Sequence, residues 1–167
     1  MRIDELYHTA MVVPDIRTAL AYYTDSHGID FTPPQLRCLD LRDGESEFHI
    51  DLTMAYSRKG PHRLELIEAV PGTLWDTPGT DWAIHHLGLW CDDIPGESAR
   101  LVEAGSPVLA TLASDPVRAT YLAFHRLPDG TLIELVDSSA RQRLESWIAS
   151  GGPHPGPHGL HARENGV

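Results

Sequence analysis

The chain has 167 residues with 24 acidic against 13 basic side chains, a formal charge of −11. That balance repels a phosphate backbone or an anionic bilayer and argues against nucleic acid and membranes as partners. An apolar fraction of 41% with 22% charged residues supports one compact domain or two very small ones.

From Tyr7 to Val13 a mostly apolar stretch ends at Pro14 and reads as a strand. Asp15 is placed to cap a helix running to about Ser26, with Ile16, Ala19, Leu20 and Tyr23 on one face and Gly28 as its stop. Strands are expected at Leu36–Arg42, Phe48–Ser57 and Arg63–Val70, the middle one alternating apolar and polar residues without a break. Residues 1–70 therefore read βαβββ. A Gly, Pro, Thr and Asp-rich linker follows at 71–82, carrying Trp75 and Trp82. The pattern then restarts over 83–138: a strand at Ile84–Cys91, a helix capped by Asp93 and closed by Gly105, then strands at Pro107–Ala113, Ala119–Leu127 and Thr131–Asp137. A short helix is expected within 139–148, and the Gly, Pro and His-rich residues 149–167 read as a disordered tail. His154, His158 and His161 lie there, on a segment without preorganisation.

Cys38 and Cys91 show no CxxC spacing, which leaves neither a thiolate zinc site nor a disulfide framework and fits a reducing compartment. The first ten residues hold no long apolar run, so we expect neither a signal peptide nor a membrane span, and a cytoplasmic location.

The two halves are copies. His8-Thr9-Ala10-Met11-Val12-Val13-Pro14-Asp15-Ile16 aligns without a gap on His86-Leu87-Gly88-Leu89-Trp90-Cys91-Asp92-Asp93-Ile94, and Leu64-Glu65-Leu66-Ile67 aligns on Ile133-Glu134-Leu135-Val136. Repeated units too small to bury their own faces pack on one another. These paired His-strand-Asp-helix openings, the two glutamate-bearing strands and the Pro128-Asp129-Gly130 turn resemble the vicinal oxygen chelate superfamily, which includes glyoxalase I, methylmalonyl-CoA epimerase, extradiol dioxygenases and bleomycin-resistance proteins. The stretch from Leu64 into Ile84-His85-His86-Leu87-Gly88 is most similar to the epimerase branch.

The resemblance implies an α+β fold in which two tandem βαβββ modules form curled sheets around a central cleft holding one divalent metal ion. It also implies a homodimer and a small-molecule substrate. The family's ligand positions fall on His8, Glu65, His86 and Glu134, with Glu134 as the base and Glu65 as partner acid or second base. Two imidazoles and two carboxylates suit Ni, Co, Mn, Fe or Zn with water completing the shell. The strand phase agrees: Leu64 and Leu66 point away from Glu65, and Ile133 and Leu135 away from Glu134. His85 is assigned to the opposite face from His86, as a structural group or one that supports the site from behind. His49, Tyr121 and His125 sit on strands that could line the cleft and are candidate substrate contacts.

Three functions follow from this set. The leading one is proton transfer next to a metal-chelated carbonyl, as in a lyase, isomerase or epimerase. The second is an iron-dependent oxygenase using two histidines and one glutamate. The third is a metal-free small-molecule binding or resistance protein. No Gly-rich phosphate loop, G-x-S-x-G elbow or HExxH motif is present.

Overall fold

A computed structural model describes residues 5–44, 46–77, 82–113 and 121–152. The elements run β1 (Leu6–Val13), α1 (Ile16–His27), β2 (Gln35–Asp43), β3 (Ser46–Tyr56), β4 (Arg63–Glu68), β5 (Ala83–Cys91), α2 (Ile94–Glu103), β6 (Val108–Leu112), β7 (Leu122–Arg126), β8 (Leu132–Asp137) and α3 (Arg141–Ser150). The expected α+β fold with duplicated βαβββ modules is the fold observed. The last helix runs two residues further than its periodicity suggested, to Ser150, where Gly151 caps it at φ 68°. The histidines at 154, 158 and 161 lie outside the described residues.

Local chemistry starts both long helices in the same way. Asp15 accepts a hydrogen bond from the Thr18 amide and Asp93 accepts one from the Gly96 amide, each satisfying a first-turn N–H that has no helical partner. Outward-facing Leu66 then packs with Ile16 and Ala19 of α1, and Ile133 and Leu135 pack with Ile94 and Leu101 of α2. Alternate residues of the same strands face inward, into a larger cluster that includes Leu41, Leu52, Ile67, Phe124 and Val136.

The eight strands close into one barrel in the order β1-β4-β3-β2-β6-β7-β8-β5. Within each module the first and last strands are parallel, β1 with β4 and β5 with β8. The modules meet at two antiparallel seams, β1 with β5 and β2 with β6, as two copies related by an approximate two-fold axis must. The C-terminal helix buries Leu144, Trp147 and Ile148 against the inner cluster. Trp147 stands edge-on to Tyr56 at 5.7 Å, and the Arg141 guanidinium lies 5.8 Å from the centroid of the Trp90 ring. No helix among the described residues is long and apolar enough to cross a membrane.

The β1–β5 seam carries a reciprocal register: His8 faces Gly88, and Ala10 faces His86. The flanking strands extend both rows. Ala10 is also paired with Glu65 of β4, and Gly88 with Glu134 of β8. Each imidazole thus rises beside a residue with little or no side chain, and beyond that residue stands the glutamate of the other module. A Cβ added to Gly88 would lie 2.1 Å from Cε1 of His8, far inside contact distance. Glycine in mid-strand here marks a close approach rather than a turn. Gly88→Ala is therefore expected to destabilise the protein by about 1–3 kcal/mol through overpacking and to swing His8 out of place. Denaturant unfolding together with the His8 imidazole NMR signals checks both effects.

Candidate metal centre

The reciprocal register brings four side chains to one point. His8 Nε2 lies 3.0 Å from His86 Nε2, 3.2 Å from Glu65 Oε2 and 3.3 Å from Glu134 Oε2. His86 Nε2 lies 3.5 Å from Glu65 Oε2 and 3.4 Å from Glu134 Oε2. His8, Glu65 and His86 are at most 2% exposed, whereas the Glu134 side chain keeps 13% of its surface. All four donors come from one chain, so the set is complete without a second copy.

The donor set fits a divalent cation. Ligand bonds of about 2.1 Å place neighbouring donors about 3.0 Å apart in octahedral and about 3.4 Å apart in tetrahedral coordination, which matches the separations among His8, Glu65 and His86 and that of Glu134 from each imidazole, while the two carboxylates stand farther from each other. His8, Glu65 and His86 form a buried group whose donor atoms all lie within 4.8 Å of one another. Two imidazole nitrogens in direct contact need a proton or a cation between them, since two lone pairs would repel.

The surroundings treat the two imidazoles differently. His85 Nε2 is 2.8 Å from the Leu74 carbonyl oxygen, and His85 Nδ1 is 2.7 Å from His86 Nδ1. A carbonyl only accepts, so His85 carries its proton on Nε2 and accepts at Nδ1. His86 must then be the donor at Nδ1, so its neutral, cation-ligating form leaves the Nε2 lone pair aimed into the centre, whereas without a cation a proton on Nε2 is directed to Glu134. Burial and the neighbouring His86 charge push His85 down to about 4, so it is neutral and the relay keeps this sense. Trp75 stacks on His85 with centroids 5.9 Å apart and meets Phe124 edge-on. His8 Nδ1, by contrast, is buried with no hydrogen-bond partner among the described residues. Its ring is packed edge-on by Tyr7 and Tyr56 at 4.6 and 5.7 Å.

Burial acts to lower the pKa of His8, but the charge of Glu65 and the hydrogen bond and charge of Glu134 outweigh it and leave it raised. Burial acts to raise Glu134, yet hydrogen bonds from His8 and His86 hold its carboxyl well below the ordinary range. The Tyr56 hydroxyl, pushed up by burial and then by the Glu65 charge, belongs to the residue paired with Glu65 across β3 and β4. Tyr7, Tyr56 and Trp90 form a stacked wall beside His8. Sequence reasoning missed these rings. The inward phase of Tyr56 on β3 was readable, but its distance from Glu65 was not.

Of the other candidates, His49 and His125 lie elsewhere. His49 stands on the outer face of β3 between Asp40 and Asp51. This follows from its alternation with inward-facing Ile50 and removes it from the cleft. His125 is fully buried but points toward α2, with Nδ1 bonded to the Ser106 carbonyl and Nε2 3.0 Å from Ser98 Oγ. It ties α2 and the loop before β6 to the barrel and does not reach the site. Tyr121 belongs to the inner cluster together with Tyr7. Trp82 pins the linker to Tyr22 and Tyr23 of α1. His85 does not turn its back on the site as the strand phase implied, because its ring reaches the Nδ1 edge of its neighbour.

The sequence profile of the Glyoxalase/Bleomycin resistance protein/Dioxygenase superfamily matches residues 7–124, and the chain belongs to that superfamily. Among solved structures, methylmalonyl-CoA epimerase from Mycobacterium tuberculosis is 18% identical, aligning 83% of this chain with 91% of that chain at a TM-score of 0.53. A variant of the Streptomyces coelicolor methylmalonyl-CoA epimerase, in complex with 2-nitronate-propionyl-CoA, is 17% identical over 81% of this chain and 98% of that chain, at a TM-score of 0.55. A mutant 4-hydroxymandelate synthase from Streptomyces coelicolor is 20% identical over 80% of this chain and 38% of that chain, at a TM-score of 0.50. These likenesses establish the fold. No curated protein matches the sequence.

Two outcomes are expected of this centre. His85→Ala removes the acceptor for His86 Nδ1 and is expected to weaken divalent-metal binding tenfold to a hundredfold, about the range for losing an orienting partner, as read by competition with a chromophoric chelator. The metal-free protein also has a defined pH response. With His8 raised, its stabilisation is complete below the ordinary histidine value of about 6.5 and is lost as pH rises through the folded-state value. With Glu134 lowered, its contribution is present above its ordinary value of 4.5 and is lost only in acid. The melting temperature of chelator-stripped protein should therefore fall as pH is raised from about 6 toward 9. Metal-loaded protein should not lose stability in this way, because metal ligation requires the neutral imidazole.

Proposed function

We propose that the chain is an enzyme that transfers a proton at a carbon next to a carbonyl in a small-molecule substrate. One divalent ion would be held by His8, Glu65, His86 and Glu134, with Glu134 as the base. The observation that carries this reading is the uneven burial of the four donors: three are sealed, and only Glu134 offers surface to an approaching molecule.

The divalent ion, when bound, supplies the positive charge that acidifies a proton next to a coordinated carbonyl. Everything else falls to the chain's own side chains. Glu134 is ionised throughout the physiological range, so it enters as a proton acceptor. Glu65, paired with Tyr56 on the far side of the centre, serves as partner acid or second base. A carboxylate on each side of the two imidazoles allows a proton to be removed on one face and returned on the same or the other. The Tyr7, Tyr56 and Trp90 wall excludes water from one flank, which strengthens every electrostatic contact at the centre. The homodimer suggested by the family resemblance is not required by this scheme, since one chain supplies all the donors.

A second reading is favoured by the buried trio of His8, Glu65 and His86, which has the two-histidine, one-carboxylate composition of iron oxygenases. One assay separates the two. Metal-loaded protein is expected to wash solvent deuterium into the carbon next to the carbonyl of an acyl thioester or hemithioacetal, and Glu134→Gln to cut that exchange about 100- to 10,000-fold. No exchange across a broad panel of such compounds, with Fe(II)-dependent oxygen uptake on a catechol, would replace the first reading by the second. Protein purified without a tag and found free of metal would point to a binding protein instead.

A further inference from the structure

The β2–β3 hairpin carries a second set of ligating side chains on the outside of the barrel, remote from the buried centre. Cys38 and Asp40 are two residues apart on β2, and His49 and Asp51 two apart on β3, so both pairs face one way. The hairpin register places Cys38 directly opposite Asp51 and Asp40 directly opposite His49. Opposed residues of an antiparallel pair hold their Cβ atoms about 5 Å apart, so the four occupy the corners of one small square. All four are exposed.

The arrangement inside that square is more ordered than an ion pair requires. His49 Nδ1 is 2.7 Å from Asp40 Oδ1, and His49 Nε2 is 3.1 Å from Asp51 Oδ1. Cys38 stands directly opposite Asp51 and holds its carboxyl below the ordinary range. Sulfur, one imidazole nitrogen and one carboxylate oxygen of Cys38, His49 and Asp51 all lie within 4.8 Å of one another. Asp40 is then in the position of the carboxylate that receives the other ring N–H of a metal-bound histidine, fixing its tautomer and angle. A thiol contributes little to an imidazole–carboxylate ion pair, so its place at the fourth corner calls for another explanation.

We propose that Cys38, His49 and Asp51 form a second metal site on the outer face of the β2–β3 hairpin. It takes a borderline-soft divalent cation of the zinc type, with Asp40 orienting His49 and water as fourth ligand. Thiolate, imidazole and carboxylate in tetrahedral array are the preferred donors of such an ion. The site differs in kind from the buried centre, which offers only nitrogen and oxygen, and it does not depend on the function proposed for that centre.

The difference in donors supplies the test. Co2+ is titrated into the full chain, kept reduced with a phosphine, and the near-ultraviolet spectrum is recorded. Only a thiolate ligand gives an intense sulfur-to-cobalt charge-transfer band, so the buried centre is silent in that window. The band is expected to appear and saturate with wild-type protein and with Cys91→Ser, and to be absent from Cys38→Ser. His49→Ala should abolish it or shift its midpoint at least tenfold. Asp40→Asn, which leaves all three ligands in place, should weaken binding about tenfold or more. The Cys38, Asp40 and His49 substitutions are at exposed positions and Cys91 is half-buried; unchanged circular dichroism would confirm that the fold is kept in each. No charge-transfer band at saturating Co2+, or a band that survives Cys38→Ser, overturns the proposal.

Discussion

The backbone ladder between β1 and β5 is the constraint on which the rest depends. Strand pairing fixes side chains in steps of two, and the pairing of His8 with Gly88 and of Ala10 with His86 is reciprocal about a local two-fold axis. A slip of one residue would turn both imidazoles to the helix-covered outside. The parallel partners β4 and β8 inherit this register, and so Glu65 and Glu134 arrive in the same two rows without any loop positioning them. A centre held by four central strands is a rigid one. Its geometry is set by hydrogen bonds that also hold the fold together, and the small residues Ala10 and Gly88 leave the space in which the rings meet.

Placing two carboxylates and two imidazoles in so little volume has an electrostatic cost that shapes the neighbourhood. The negative charges of Glu65 and Glu134 are felt by Tyr7 and Tyr56, whose hydroxyls are pushed well above the ordinary tyrosine value chiefly by burial and then by those carboxylates. Both phenols therefore stay neutral and act as hydroxyl groups or as apolar walls, not as phenolate bases. Without a cation, protons must occupy the space between opposed donors. Buried ionisable groups gathered in this way are expensive unless paired or metal-bound.

Much of this was legible in the sequence. A constant spacing between His8 and His86, together with matching glutamate-bearing strands, pointed to four side chains that the barrel brings together, because duplication preserves register and register is what the barrel uses. Element types were equally clear, since Asp15 and Asp93 supply caps at equivalent points and β3 alternates cleanly. The misplaced residues share one cause. His49 and His125 lie on strands that build the barrel, but alternation says only which neighbours share a face and not which face curls inward. For His49 the apolar phase of Ile50 and Leu52 already held the answer. For His125 it did not, because β7 is buried on both sides, and Ala123 packs outward as firmly as Phe124 packs inward. His85 shows the opposite limit: a long side chain can reach around its own strand, which a two-residue period does not describe.

The contact between His85 and the Leu74 carbonyl has a consequence for the history of the molecule. Leu74 lies in the segment that joins the two modules, and among the described residues its carbonyl supports the histidine pair of the second module. Two separate copies of a single module, paired as a dimer, could present both imidazoles and both carboxylates but would leave each histidine equally unsupported. On one polypeptide the two are unequal: the linker carbonyl fixes the His86 tautomer through His85, while His8 Nδ1 has no hydrogen-bond partner among the described residues. Once the equivalence was lost, selection could tune one half for holding a cation and the other for handling protons, a division of labour closed to an assembly of identical parts.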